Sequence, residues 1–457
     1  MDSPTTSRAA GSTPQLVEED RVLPGGWYTL ISILIVTLFA FVDRQLLTLA
    51  AAPLAKSLNL SDSQIGMVQG LAFAVFTVIA VYPLAWAADR FDRRYVLGVC
   101  VLLWSLGTAA VGFTQNFTQL FIAAVAIAAG EAGLVPTTMA IVPDLFHGRK
   151  RVLANGINYF AAYVGIALAL ALGGAALGAL NAVHQNLPPA LRQFESWRLA
   201  FFALALPAPL MLLLIAFARL RHPRRDVDIS SAKPAGPSLL EHLKMNRGAV
   251  GWIFAALGVY LLAFGGFFVW LPVVATRLFG ATEAQNGAYM GLATAIGMFG
   301  GVFISTAWVR KLLVRVGQRA SIRVAWIIQG IATPAILIFP FVTSAVQLYV
   351  VFGLLMLSGT AVGVLVPTML QSMAPGVIRA RFLAIYAIVS SLLSGIAPTL
   401  VGWLSDAIGG HRGLLYALVG VALPTWIVAT IMFRLGERPF AALAEETLRI
   451  DDVAAVN

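Results

Sequence analysis

Twelve times along this 457-residue chain an apolar run of the length needed to cross a hydrocarbon layer is bounded by charges or turn residues. At 1.5 Å per helical residue, about 20 residues span about 30 Å, and in lipid only a helix or a closed barrel satisfies its own backbone. The runs fall near residues 27–54, 64–87, 95–113, 117–146, 152–178 and 197–220. After a polar stretch they resume near 249–276, 286–309, 321–341, 345–373, 382–405 and 413–434. The expected fold is an all-α polytopic membrane protein, with twelve transmembrane helices in two six-helix bundles. Composition agrees: 59% of residues are hydrophobic and 11% charged, against about a quarter charged in soluble domains.

Where the cations lie sets the expected orientation. If the N-terminus and every second loop share one face, that face carries 25 of the 31 Lys and Arg residues, and the other carries Lys56, Arg192, Arg198, Arg277 and Arg412. The excess marks the cytoplasmic side, so both termini are expected there, in what reads as a bacterial inner membrane. The net charge of +10 does not imply nucleic acid, because it is spread over short loops rather than gathered on one surface. The lone cysteine, Cys100, sits in an apolar span, which leaves no intrachain disulfide and no thiolate metal site. Residues 1–26 are polar, lack the apolar core of a cleavable signal, and are read as a cytoplasmic tail, with the first span directing insertion. The bundles are placed at 27–220 and 249–434, joined by a linker at 221–248 and followed by a tail at 435–457. The linker mixes Pro, Gly, Ser and charge and is read as a tether. Leu239, Leu240 and Leu243, beside Glu241 and Lys244, are the one turn of it with an apolar stripe.

The halves repeat. Ser61-Asp-Ser-Gln-Ile-Gly66 with Gly70 returns 221 residues later as Thr282-Glu-Ala-Gln-Asn-Gly287 with Gly291, each just before the second span of its half. Leu134-Val-Pro-Thr137 returns 231 residues later as Leu365-Val-Pro-Thr368, each in a fourth span. Parallel six-span repeats related by an axis along the membrane normal make the bundles pseudo-symmetric and place any binding site between them near mid-depth.

Charges inside the spans are few and therefore informative. Asp43 and Arg44 interrupt the first run, and Glu131, in Gly130-Glu-Ala-Gly133, lies 14 residues from the outer end of the fourth, about 21 Å deep. Glu131 and Asp43 or Arg44 are expected to meet across the N-terminal bundle, giving one cation and two carboxylates whose protonation states depend on one another. A static salt bridge between the two spans is the competing reading. Softer candidates for a cavity wall are Asn155, Asn158, Tyr159, Tyr260, Tyr386, Ser390 and Ser394, for which helix packing is the plainer role. The second half offers no formal charge at mid-depth, so a substrate with a polar or anionic head toward Arg44 and an apolar body would suit the asymmetry.

After the second span comes Ala85-Trp-Ala-Ala-Asp89-Arg90-Phe-Asp92-Arg93-Arg94. This resembles the major facilitator signature that follows the second span, with Ala85 and Asp92 where that signature has glycine. It is read as a cytoplasmic latch in which Asp89 meets a helix N-terminus and Arg90 and Arg94 reach acids such as Asp144; the alternative is positive-inside charge alone. Together with Val42-Asp-Arg44, Leu60-Ser-Asp-Ser-Gln-Ile-Gly66, Gly130-Glu-Ala-Gly133 and Pro143-Asp-Leu-Phe-His-Gly-Arg-Lys-Arg151, the segment is similar to the Spinster-type branch of that superfamily. The likeness continues into Ala397-Pro-Thr-Leu-Val-Gly-Trp-Leu-Ser-Asp406.

The resemblance implies a major facilitator fold and secondary transport, with Asp43, Arg44 and Glu131 matching a cluster that couples protons to movement of lysolipid or sphingolipid-like molecules. Protons, rather than any cofactor, would be the coupling species. The partners implied are a small-molecule or lipid-like substrate and membrane lipids, with no nucleic acid, the chain acting as a monomer. One departure stands out: the family's arginine two turns before the glutamate is missing from Phe121-Ile-Ala-Ala-Val-Ala-Ile-Ala-Ala129, which leaves Arg44 as sole cavity cation and argues against a doubly charged phosphate.

Other classes fit less well. His147, His184, His222, His242 and His411 all lie in loops or at span ends, no HExxH or GxxxxGK[ST] sequence occurs, and no lysine sits mid-span, so haem, zinc, ATP and retinal chemistry lack their residues. No enzyme is expected. A channel or uniporter remains a rival, and so does the anion:cation symporter branch, which shares Asp-Arg in the first span and Glu-Ala-Gly in the fourth and would import organic acids.

Overall fold

The computed structural model describes residues 21–218, apart from 135, 136, 138–140, 143 and 144, and residues 238–456. It is helical; the one β-type pairing among these residues is an antiparallel bridge between Val22 and Phe146. The first half comprises α1 (Gly26–Leu49), α2 (Asp62–Gly66, a π-helical stretch Met67–Ala72, and Phe73–Arg90) and α3 (Arg93–Phe113). It continues with α4 (Phe117–Glu131), α5 (Gly148–Val183) and α6 (Ser196–Ala205 and Ala208–Phe217). The second half comprises α7 (Arg247–Phe279), α8 (Glu283–Val316), α9 (Ala320–Ile338), α10 (Ala345–Gly363 and Leu365–Ser372), α11 (Gly376–Ile408) and α12 (Gly413–Val456). Ten segments are long and apolar enough to cross a membrane; one of them, Glu283–Phe341, holds both α8 and α9, and the shorter apolar α4 completes twelve crossings.

The repeated motifs turn out to be helix starts. Ser61 and Thr282 each accept a hydrogen bond from the backbone N–H three residues on, while Gln64 and Gln285 reach back to the cap N–H, so both second helices open with a capping box. Asn116 and Ser344 cap α4 and α10 in the same way, on the N–H groups of Gln119 and Gln347. Asp92, where the family signature has glycine, caps α3 by accepting from the N–H of Arg94 at 2.9 Å. The glycines that follow the caps are contact points between the halves. A Cβ on Gly66 would lie 2.5 Å from the Pro398 carbonyl oxygen on α11, and one on Gly287 would lie 2.6 Å from Gly174 Cα on α5. The pairs α2 with α11 and α8 with α5 thus cross backbone to backbone, in equivalent places.

These crossings lie toward the face opposite the chain termini, here the far face. Polar contacts close it. Arg277, near the end of α7, donates to both carboxylate oxygens of Asp62 at 2.8 and 2.5 Å, and the Ser405 hydroxyl donates to the same carboxylate at 2.7 Å. Asp406 accepts from the N–H groups of Asp62 and Ser63 at 3.0 and 2.9 Å, and Asn181 donates to Glu283 at 3.2 Å. The Thr399 hydroxyl adds a further bond between the halves in this region, to the Gly66 carbonyl at 3.0 Å.

On the terminal face, helices outrun the spans expected from hydropathy. The 435–457 segment continues α12 as far as Val456, because Phe440, Ala441, Leu443 and Ala444 form a buried stripe along it, and Asp451 there accepts from Arg379 at 2.6 Å. The linker lies largely outside the described residues. Its end, Leu239–Met245, is a capped helix docked on the second half through His242, whose Nε2 is 2.9 Å from the Met373 carbonyl.

Candidate functional site

Successive residues on a helix point about 100° apart, which separates the three polar side chains of α1. Asp43 turns into its own bundle, is 2% exposed, and accepts a hydrogen bond from the Thr108 hydroxyl of α3 at 2.6 Å. Arg44 turns toward the seam between the halves, with its side chain 49% exposed and its guanidinium 4.6 Å above the Phe73 ring of α2. Gln45 faces the second half. Glu131 ends α4, where the helix gives way at Ala132 and Gly133; a Cβ on the preceding Gly130 would lie 2.6 Å from the Trp104 backbone nitrogen, so α4 is pressed against α3 at this point. Glu131 thereby comes within 3.9 Å of Arg44. Asp43 Oδ1 and Glu131 Oε1 have no hydrogen-bond partner among the described residues. Of the pairings expected, that of Glu131 with Arg44 is present, while the Asp43 carboxylate is bonded to Thr108.

One cavity adjoins this cluster through Arg44, and a second shares Gln45 and Phe268 with the first. The smaller, about 280 Å³, is lined by Arg44, Gln45, Thr48, Gln69, Phe73 and Thr77 from the first half and by Phe268, Ser391 and Ser394 from the second, among others. The larger, about 550 Å³, is mostly apolar, with Gln45, Tyr260, Phe264, Phe268, Met298, Met356 and Tyr386 in its wall. Both lie beneath the closed far face.

Of the softer candidates, Tyr260, Tyr386 and Ser394 line these cavities. The Tyr260 hydroxyl donates to the Gly359 carbonyl at 2.7 Å, so Tyr260 offers its ring rather than its hydroxyl. Ser394 and Ser390 donate back into their own helix, to the Ser391 and Ala387 carbonyls. Asn155, Asn158 and Ser390 are not among the lining residues. The side chain of Tyr159 is outside the described set, as are that of Asp89 and the whole of Asp144. Of the other residues expected to form a latch, Arg90 stacks on Trp86 with 4.4 Å to the ring centroid, and Arg93 is buried at the start of α3. Arg94 lies 3.9 Å from Asp92 and donates to the Ala216 carbonyl at the end of α6, inside its own half. No three His, Cys, Asp or Glu side chains gather as a metal site among the described residues.

Sequence reasoning missed Gln45, Thr48 and Gln69, which form the polar roof of the smaller cavity: Thr48 donates to Gln69 at 3.2 Å, and Gln69 in turn to the Leu47 carbonyl at 3.5 Å. Glutamines within apolar runs were the available signal. It also missed the far-face group, although Asp62 and Arg277 are opposite charges at span ends on the face with few cations.

The chain can be set beside known proteins on these grounds. It is 25% identical over 396 residues to an MFS-type efflux pump of Mycolicibacterium smegmatis, covering 82% of this chain and 83% of that one. To a putative tartrate transporter of Agrobacterium vitis it is 23% identical over 439 residues, covering 91% and 92%. Among solved structures, a bacterial homologue of the human lysosomal transporter Spinster, in an inward-facing and unoccupied conformation, superposes with a TM-score of 0.72 at 22% identity, covering 93% of this chain and 98% of that one. The sequence model of the Major Facilitator Superfamily matches residues 33–398. With twelve helices in two repeated bundles around a central charged cavity, the chain belongs to the Major Facilitator Superfamily, a family of transporters and not of enzymes.

Proposed function

We propose that this transporter couples proton movement to the passage of an amphipathic or anionic organic substrate by alternating access. One observation carries the reading: Arg44 is half exposed to the cavity and backed by Asp43 and Glu131, each with one oxygen unpartnered. One cation and two carboxylates leave a net negative charge away from bulk water, which is costly, and a proton on either carboxylate removes it. With the cavity open outward, Asp43 or Glu131 takes a proton and its hold on Arg44 loosens. After closure and inward opening the proton leaves, and Arg44 exchanges an anionic group. The terminal face is the cytoplasmic one by its cation excess, so the arrangement with the far face closed is the inward-facing stage of the cycle.

A single cation suits a carboxylate better than a doubly charged phosphate, and the likeness to a putative tartrate transporter supports an organic acid. A lysolipid or sphingolipid-like substrate is the second reading, favoured by the apolar wall of the larger cavity. The test uses purified protein in sealed proteoliposomes with a pH dye inside and lysolipids, sphingoid bases, aromatic acids or sugar acids outside. A substrate-dependent pH change is expected, and Asp43→Asn and Glu131→Gln should abolish it while leaving the protein folded. Normal proton coupling in Glu131→Gln would sink the mechanism. Substrate flux without proton movement would leave a uniporter, with the three charges as structural glue.

A further inference from the structure

The polar side chains around the two cavities differ in how much of their hydrogen-bonding capacity is already used. Thr48, Gln69, Ser394 and Tyr260 all donate to protein acceptors. Gln45 makes no such bond. It is 6% exposed, its Oε1 has no partner, and apart from Phe268 it is the one residue that lines both cavities. A primary amide carries two donors and a strong acceptor, and buried amides are almost always satisfied. Gln45 instead sits next to the half-exposed cation in the chain and at the junction of a polar and an apolar chamber.

We propose that Gln45 is a specificity-determining residue that hydrogen-bonds a hydroxyl adjacent to the anionic group held by Arg44. The substrate class is then a 2-hydroxy acid with an apolar or aromatic body. Arg44 and Gln45 point about 100° apart on α1 but both line the smaller cavity, so one small ligand can present a carboxylate to the first and a neighbouring hydroxyl to the second. The amide turns either its oxygen or its NH2 toward the ligand, and so accepts from the hydroxyl or donates to it. The body extends past Phe268 into the larger cavity, against the rings of Tyr260 and Phe264 and the flexible thioethers of Met298 and Met356. An acid without the hydroxyl would bury the Gln45 amide unpaired, and a site built this way discriminates against it. This assignment deepens the transporter reading and rests on it.

The test compares mandelate with phenylacetate, which differ by one hydroxyl, as ligands that raise the melting temperature of the purified full-length protein in detergent. Wild type should be half-saturated at about tenfold lower mandelate than phenylacetate. In Gln45→Leu the two concentrations should converge, phenylacetate binding more tightly because it no longer strands the amide and mandelate more weakly because its hydroxyl has lost a partner. Gln45→Asn, which keeps the amide on a shorter arm and stays informative if the leucine variant misfolds, should retain part of the preference. Equal stabilisation of wild type by the two acids, stabilisation by neither, or a preference that survives in Gln45→Leu would each overturn the assignment. The transporter reading is decided separately by the pH-dye signal over the wider panel, which stands or falls without reference to this ratio.

Discussion

Arg44 has two neighbours of different kind, Glu131 at 3.9 Å and the face of Phe73 at 4.6 Å, and the second favours a flat delocalised cation. Lysine keeps the charge but not the flat face that stacks on Phe73. Arg44→Lys should therefore raise the half-saturating substrate concentration about tenfold, and Arg44→Ala should remove measurable binding. A lysine variant that binds as wild type does would take Arg44 out of the substrate site. Asp43, Arg44 and Glu131 were legible in the sequence because a charge inside an apolar run is expensive and so rarely incidental. Thr108 and Gln45 were not. A neutral polar residue in a span is usually satisfied by its own helix, and only coordinates reveal that Thr108 meets Asp43 while Gln45 Oε1 has no hydrogen-bond partner among the described residues.

Helices here begin at cues that can be read and break at places that cannot. The capping boxes at Ser61 and Thr282 follow the pattern of Ser or Thr with Gln three residues on, and each contributes about 1 kcal/mol. Ser61→Ala and Thr282→Ala should each lower stability by about that amount, measured as a drop in the melting temperature of the detergent-purified protein. No change in either would mean that helix packing alone sets those ends. The repeat was visible as spacing, but its physical content lay elsewhere: Gly66, Gly70, Gly287 and Gly291 let each second helix of a half touch a helix of the other half. Contacts that join residues hundreds of positions apart leave no local trace. The same holds for α12, whose continuation to Val456 reflects packing along its amphipathic face after hydropathy has fallen away.

Across the whole molecule, the far face is held by a few polar contacts centred on Asp62, which is 7% exposed and bound by Arg277 and Ser405 from the second half. Cutting one partner strands the other, a cost tempered here because Arg277 is partly solvated. Asp62→Asn or Arg277→Ala should shift the balance toward the far-open state about tenfold. The readout is the labelling rate of a cysteine placed near Ser394 in a Cys100→Ser background, with the reagent outside intact vesicles. An unchanged rate would assign the closure to the glycine crossings alone. Because the seal uses residues other than Arg44 and Gln45, a chain that selects its cargo as proposed would have its cycling rate and its choice of cargo written at different addresses. Selection could then retune turnover through one exchange at Asp62 while the choice of cargo stayed as it was.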